Sequence, residues 1–241
     1  MQPTDASHKR GADGWQRPWP LVCPLADLLD RQAQLTPDKT ALVLPDDRVT
    51  YGQLAARAQY YGRALVSLGA GPGDTIGILL PTMADFVAIM FGALKVGAVP
   101  VLMNARFKAR ELRHVVVNGD LTMVFTATSI ADAVDFPALL TDAFPDIERH
   151  TDGTLDLDDA PLLRHVVLID DEASTGFLGS DAVERAAGSG DDAEVDLRQS
   201  RASVGDIGLM MYTSGTTGEV KCTATRRRSS SSRRVPKRCR T

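Results

Sequence analysis

The sequence predicts an α/β domain built on a mostly parallel sheet with helices on both faces. Short apolar runs typical of buried strands alternate along the chain with amphipathic stretches of helical length. This alternation is the pattern of βαβ units, whose right-handed crossovers lay helices over the sheet. The 241 residues are 44% hydrophobic, enough to bury a sizeable core in a globular domain.

The first elements follow from periodicity and helix caps. We expect a short helix over residues 25–33 and a strand over residues 41–44. Thr50 and Gln53 have the spacing of a capping box, so a long helix should begin there. Apolar residues then recur at helical intervals until Gly69, which should end the helix.

The remaining elements follow from apolar runs and amphipathic stretches further along the chain. We expect strands at 75–80, 99–102, 121–126, 165–169 and 207–212, and helices at 83–94, 110–117 and 179–187. The rest of residues 146–206 is rich in Asp, Ser and Gly, which we interpret as solvated loops. A magnesium site is the other interpretation of these carboxylates, although they lack the spacing of metal ligands.

A loop rich in glycine and hydroxyl residues follows the last predicted strand. Residues 211–221 read Met-Tyr-Thr-Ser-Gly-Thr-Thr-Gly-Glu-Val-Lys. Glycine allows close backbone approach, successive free N–H groups form a concavity for an anion, and a lysine suits phosphate. The P-loop pattern is not met, because Val220 instead of glycine precedes Lys221. The sequence therefore predicts a phosphate-holding loop, with an ordinary polar turn as the alternative.

This loop resembles the signature loop of the AMP-forming adenylating enzymes, a family that includes acyl-CoA synthetases, firefly luciferase and the adenylation domains of peptide synthetases. The family loop runs [ST]-[ST]-G-[ST]-T-G-x-P-K-G. The chain matches it from Thr213 through Gly218 and again at Lys221. It departs at Val220, where the family has proline, and at Cys222, where the family has glycine.

The resemblance extends upstream over most of residues 22–212. Residues 50–54 match the family motif T-Y-x-x-L, and residues 65–74 match the family motif L-x-x-x-G-x-x-x-G-D. The stretch at residues 104–107 is similar to a family segment that walls the ligand crevice. A simple loop leading into a helix is the alternative interpretation there.

The resemblance implies an ATP-dependent, AMP-forming acyl-CoA synthetase. Its reaction joins a carboxylate to the α-phosphate of ATP with release of pyrophosphate, and the thiol of CoA then displaces AMP. ATP, Mg²⁺, CoA and a carboxylic acid are the implied partners. The sequence upstream of the loop is most similar to that of the fatty-acid enzymes of the family. The implied phosphate-binding residues are Thr213, Ser214, Gly215, Thr216, Thr217, Gly218 and Lys221.

No catalytic or metal-ligating residue is assigned, because the later family motifs are not in the sequence. Those motifs meet adenine and magnesium, hold the ribose and supply the lysine that activates the carboxylate. We therefore expect this chain to be an N-terminal part of the adenylating domain that does not catalyse by itself. An adenylation domain of another carboxylate-activating enzyme is an alternative.

The charge changes abruptly along the chain. Residues 146–206 hold 16 acidic and 5 basic side chains, whereas residues 219–241 hold 1 acidic and 9 basic ones. We expect a leader at residues 1–20, the adenylating domain at 21–218 and a basic tail at 219–241. A frameshift or truncation would explain the Arg/Ser-rich tail, and a nucleic-acid-binding arm of a non-catalytic protein is the alternative.

The composition also bears on the compartment. Three cysteines, Cys23, Cys222 and Cys239, lack zinc spacing and cannot all pair, which fits a reducing environment. The leader has no apolar core of a signal peptide, and no apolar window is long enough for a membrane span. We therefore expect a cytoplasmic protein.

Overall fold

The computed structural model describes residues 23–45, 47–130, 134–214 and 220–226. Its α-helices are α1 (Leu28–Leu35), α2 (Tyr51–Ser67), α3 (Ala84–Lys95), α4 (Ala109–Asn118), α5 (Phe136–Ala143), α6 (Ser180–Ser189) and α7 (Asp192–Ser200). Short 3-10 helices occupy Leu25–Asp27 and Pro145–Arg149. The strands are β1 (Thr40–Val43), β2 (Arg48–Thr50), β3 (Thr75–Leu79), β4 (Val99–Leu102), β5 (Leu121–Thr126), β6 (Ser129–Ile130), β7 (Val134–Asp135), β8 (His165–Leu168), β9 (Ile207–Ser214) and β10 (Val220–Arg226).

A six-stranded sheet forms the centre of the fold, in the order β10-β9-β4-β3-β5-β8. The pairings among β9, β4, β3, β5 and β8 are parallel, and β10 joins β9 antiparallel. Every residue of β3 and β5 is buried, because strands of a parallel sheet are covered on both faces. The α/β class and the mostly parallel sheet predicted from the sequence are confirmed.

Helices cover both faces of the sheet, as the crossovers require. The chain passes from β3 to β4 in one direction across the sheet and from β4 to β5 in the other. Right-handed crossovers then place α3 and α4 on opposite faces. The helix contacts agree, since α3 packs with α2 and α7, whereas α4 packs with α5.

The capping box predicted at the start of α2 is confirmed. The Thr50 side chain accepts from the backbone N–H of Gln53 at 3.2 Å, and the Gln53 side chain accepts from the Thr50 N–H at 2.9 Å. These two bonds satisfy amides that have no partner within the helix. At the other end Gly69 adopts a φ of 82°, which only glycine takes up readily, and α2 stops as expected.

Two expectations about the second half of the chain were wrong. The last predicted strand does not end at Tyr212 but continues to Ser214, and it has a downstream neighbour in β10. Residues 192–200, expected as solvated loop, form α7. The domain boundary expected between residues 218 and 219 lies outside the described residues, as do residues 1–20, and stays a prediction.

Candidate functional site

The carboxyl edge of the parallel sheet is where a ligand is expected to bind. All five parallel strands end there, and the neighbouring strands β3 and β4 send their helices to opposite faces. In doubly wound sheets, ligands occupy the crevice at such a switch point. The strand that leads into the glycine-rich loop, β9, lies directly beside β4 at this edge.

The β9–β10 hairpin brings the two ends of the predicted phosphate loop together. Ser214 pairs with Val220 and Thr213 with Lys221, so the loop leaves and returns at the same point of the sheet. The predicted residues between them, namely Gly215, Thr216, Thr217 and Gly218, lie outside the described residues. The structure therefore places the backbone of Thr213, Ser214 and Lys221 at the carboxyl end of β9.

The stretch that follows β4 borders the same point. Leu102 pairs with Met211, and the chain beyond Leu102 passes through residues 104–107 into α4. Asn104 Oδ1 accepts from the backbone N–H of Arg106 at 3.0 Å, and both side chains are exposed. The two interpretations of this stretch are therefore compatible, because a loop that leads into a helix also borders the edge beside β9.

Side chains also tie the ends of the other strands together. The buried Thr126 hydroxyl donates to the Leu79 carbonyl at 3.0 Å, joining the ends of β5 and β3. The Asp170 carboxylate accepts from the Thr128 backbone N–H at 2.9 Å and from its hydroxyl at 3.0 Å, which joins the ends of β5 and β8. These bonds join the carboxyl ends of β3, β5 and β8 into one rim.

A tyrosine and a carboxylate join α2 to the first turn of α3 near this rim. The Tyr61 hydroxyl donates to Asp85 Oδ1 at 2.9 Å, and its ring meets Phe125 edge-on at 6.2 Å between centroids. Burial, followed by the negative charge of Asp85, raises the pKa of Tyr61 well above its usual range. Tyr61 is therefore a protonated hydrogen-bond donor at neutral pH and is unsuited to act as a base.

Two cavities lie outside the loop itself. One of about 190 Å³ sits where β3 ends and is lined almost wholly by apolar side chains: Leu42, Leu44, Leu80, Pro81, Thr82, Met83, Phe86 and Val87. The other, of about 660 Å³, lies beside α5 and includes the carboxylates of Asp135, Asp142 and Glu148.

Within the described parts of the chain, no three His, Cys, Asp or Glu side chains converge as metal ligands would.

Comparison with known proteins identifies the family. The model of the AMP-binding enzyme family matches residues 29–233, which is most of the 241-residue chain. The chain therefore belongs to the AMP-binding enzyme family.

Among the described helices, none has both the length and the apolar character needed to span a bilayer.

Its relatives include enzymes that form CoA thioesters. YngI of Bacillus subtilis (strain 168), itself assigned as an acyl-CoA synthetase by prediction, is 28% identical over 79% of this chain and 35% of its own length. The medium/long-chain-fatty-acid and 3-oxocholest-4-en-26-oate CoA ligase of Mycobacterium marinum is 26% identical over 80% of this chain and 32% of its own.

A solved structure is similar over the same region. The anthranilate CoA ligase AuaEII, in complex with anthranoyl-AMP, has a TM-score of 0.68 and 25% identity over 86% of this chain and 35% of that protein. The chain thus spans about a third of the length of the relatives it matches.

Proposed function

We propose that this chain supplies the nucleotide-phosphate-binding part of an ATP-dependent, AMP-forming acyl-CoA ligase. The observation that carries the proposal is the β9–β10 hairpin, which holds the two ends of the residue 213–221 loop at the carboxyl edge of the sheet. Membership of the AMP-binding enzyme family supports ATP as the nucleotide.

The loop has the chemistry needed to hold a polyphosphate. Thr213, Ser214, Thr216 and Thr217 supply hydroxyl donors, Gly215 and Gly218 expose backbone N–H groups, and Lys221 supplies a positive charge. Backbone amides in such a loop bind an anion without reorganising, and charge-assisted bonds add to the affinity. Mg²⁺ usually binds together with substrate phosphates, so in this proposal it arrives with the nucleotide.

Membership of the AMP-binding enzyme family and the resemblance of the loop imply the reaction of the whole ligase. A carboxylate oxygen attacks the α-phosphorus, the bond to the β-phosphate oxygen breaks, and pyrophosphate leaves while the loop stabilises its charge. The CoA sulfur then attacks the acyl carbon and AMP departs. The fatty-acid class of substrate is supported by the name of the Mycobacterium marinum relative, and the cytoplasmic location stays part of this proposal.

The test is MgATP binding to the full chain, measured by isothermal titration calorimetry. Lys221→Ala should weaken MgATP binding by about tenfold to a hundredfold, the worth of a hydrogen bond to a charged group. Inorganic pyrophosphate should compete with MgATP, whereas AMP, which lacks the outer phosphates, should bind the two forms equally. Lys39→Ala, which removes an exposed lysine before β1, is the matched control and should bind as the wild type does.

The outcomes separate the parts of the proposal. If the wild-type chain does not bind MgATP, or if Lys221→Ala binds it unchanged, the phosphate-binding function is overturned.

We also infer that the chain by itself stops at binding, because the lysine that activates the carboxylate is not in its sequence. Exchange of labelled pyrophosphate into ATP with fatty acids should therefore be absent, and its appearance would contradict that inference alone.

A further inference from the structure

A buried tyrosine anchors the strand that enters the loop. Tyr212 lies two residues before Ser214, the last residue of β9, and its side chain is 7% exposed. Its hydroxyl donates to Asn118 Oδ1 at 3.0 Å, and its ring meets the His114 ring edge-on, 6.3 Å between centroids. Both partners belong to α4, so the tyrosine connects β9 to that helix.

The acceptor on α4 is itself held in place. The Gly119 N–H donates to the Val115 carbonyl at 2.8 Å, which closes the end of the helix. The Thr75 hydroxyl donates to the Gly119 carbonyl at 3.0 Å, which ties that end to β3. A Cβ atom on Gly119 would stand 3.1 Å from the Tyr212 hydroxyl oxygen, so the hydroxyl is packed closely over this glycine.

The anchor acts where the parallel ladder stops. Pairing between β4 and β9 ends at Leu102 and Met211, while Tyr212 to Ser214 continue along β10. In the described part of the chain, the ladder on the β4 side therefore ends one residue before Tyr212. Beyond that point, the Tyr212 side chain contacts Asn118 and His114 and so connects the end of β9 to α4.

We propose that Tyr212 is a positioning residue for the phosphate loop, acting through its hydrogen bond to Asn118 and its ring contact with His114. The inference rests on the proposed function of the loop. The hydroxyl and ring hold the end of β9, the strand from which residues 213–221 continue, in one direction relative to α4 before a nucleotide arrives. Preorganised donors bind a phosphate more tightly than donors that must first be ordered.

Four variants of the full chain test this role. Tyr212→Phe removes the hydroxyl but keeps the ring, and Asn118→Leu removes the acceptor at similar volume. Asn118→Asp keeps an acceptor oxygen and should restore wild-type behaviour. Tyr60→Phe removes a hydroxyl on α2 and is the matched control.

Two readouts are compared well below the melting temperature. Hydrogen exchange without ligand is followed by mass spectrometry on peptides that cover residues 209–222. The exchange rate should be about fivefold higher in Tyr212→Phe and Asn118→Leu than in the wild type, because each variant loses one hydrogen bond. MgATP binding should weaken by a similar factor. The double variant Tyr212→Phe/Asn118→Leu should be no worse than either single variant, because both remove the same bond.

The outcomes distinguish this inference from the proposed function. A melting temperature that falls in Tyr212→Phe, with exchange and MgATP affinity as in the wild type, would show a purely structural tyrosine and overturn the inference. Asn118→Asp behaving like Asn118→Leu would overturn it as well. If the wild-type chain does not bind MgATP, the proposed function falls, and the exchange comparison alone decides whether Tyr212 positions the loop.

Discussion

At the scale of single residues, a buried lysine joins three helical segments. Lys95, at the end of α3, is 3% exposed and forms an ion pair with Asp30 of α1. Its ammonium group also donates to Gln199 Oε1 at 2.9 Å, and the Gln199 amide donates to Asp30 Oδ2 at 2.9 Å. Each charged or polar group in this network has a partner, which offsets the cost of removing it from water.

Removing Asp30 and removing Lys95 should lower the free energy of unfolding by different amounts, because the charged group that remains is buried in one variant and partly exposed in the other. Asp30→Asn leaves an ammonium group buried without its counter-ion, whereas Lys95→Met leaves a carboxylate whose side chain is 26% exposed and can reach water. We therefore expect Asp30→Asn to destabilise the fold by about 3 kcal/mol and Lys95→Met by about 1–2 kcal/mol. Urea unfolding at pH 7 measures both values.

Arg31→Ala provides the comparison at the surface. The Arg31 guanidinium lies 3.9 Å from the Asp27 carboxylate, and its side chain is 43% exposed. An exposed pair of this kind contributes about 0–1 kcal/mol, so the variant should unfold close to the wild type. A larger loss for Lys95→Met than for Asp30→Asn would show that the carboxylate, and not the ammonium group, is the costly group to leave unpaired.

At the scale of elements, the sequence predicted best where a strong local signal agrees with the fold. The bounds of β4 and β5 were predicted correctly, because each is a short apolar run between turn residues. The start of α2 was predicted correctly from its capping box. In each case the local preference and the burial in the sheet favour the same structure.

The elements that were missed carry weak or conflicting local signals. Helix α7 is rich in charged residues and Val195 is its buried residue, so its apolar face was too narrow to recognise. Helix α5 has a proline in its first turn, where proline is tolerated although it interrupts the pattern. Strand β10 begins an Arg/Ser-rich segment and is formed through its pairing with β9.

The site follows the same rule. The glycine and hydroxyl residues of the loop were assigned to phosphate from their order along the chain, and that role stays a prediction. The Tyr212 hydroxyl could not be assigned to Asn118, since 94 positions separate the two residues and nothing local links them. No local pattern in the sequence indicates that α4 packs against the end of β9.

The attachment of α7 to α2 should depend on pH. Arg63 Nη1 donates to Asp192 Oδ1 at 2.7 Å, and Gln59 donates to the same oxygen at 3.0 Å. The bond from Arg63, and then that from Gln59, lowers the pKa of Asp192 below its usual value. A lowered folded-state pKa stabilises the protein above the unfolded-state pKa, and this contribution is lost as the pH falls through the folded value.

Asp192→Asn should therefore lower the free energy of unfolding at pH 7, and its difference from the wild type should shrink below about pH 4. Because the side chain is largely exposed, solvent screening limits the effect at pH 7 to about 0.2–1 kcal/mol. Urea titrations at pH 7 and pH 3 measure it. Arg63→Met should show the same loss of acid dependence, and a constant difference between wild type and Asp192→Asn at both pH values would contradict the assignment.

At the scale of the whole molecule, one hydrophobic core joins the two halves of the described chain. Ile147, Leu163, Val167 and Val195 are buried in the same core cluster as the helices and strands of the first half. The segment after residue 146 supplies the outer strand β8 and the helices that pack on α2.

Strand β9, which leads into the loop, lies inside the sheet and not at its edge. Met210 is fully buried, and β9 pairs with a strand on each side, β4 and β10. The opposite face is less covered, because the Met211 side chain is 44% exposed. Pairing with β10 satisfies this edge of β9, although part of the apolar surface of the strand remains in contact with water.

A shared core predicts cooperative unfolding of the two halves. Small domains with one core usually unfold in a single transition. During urea unfolding, exchange-labelled peptides from α2 and from α6 should therefore lose protection at the same midpoint. Leu163, 1% exposed and just before β8, offers a direct perturbation, since Leu163→Ala should cost about 2–5 kcal/mol by leaving a cavity. The variant should shift the midpoint of both peptides equally, whereas a shift confined to the α6 peptide would mean that the segment after residue 146 unfolds separately.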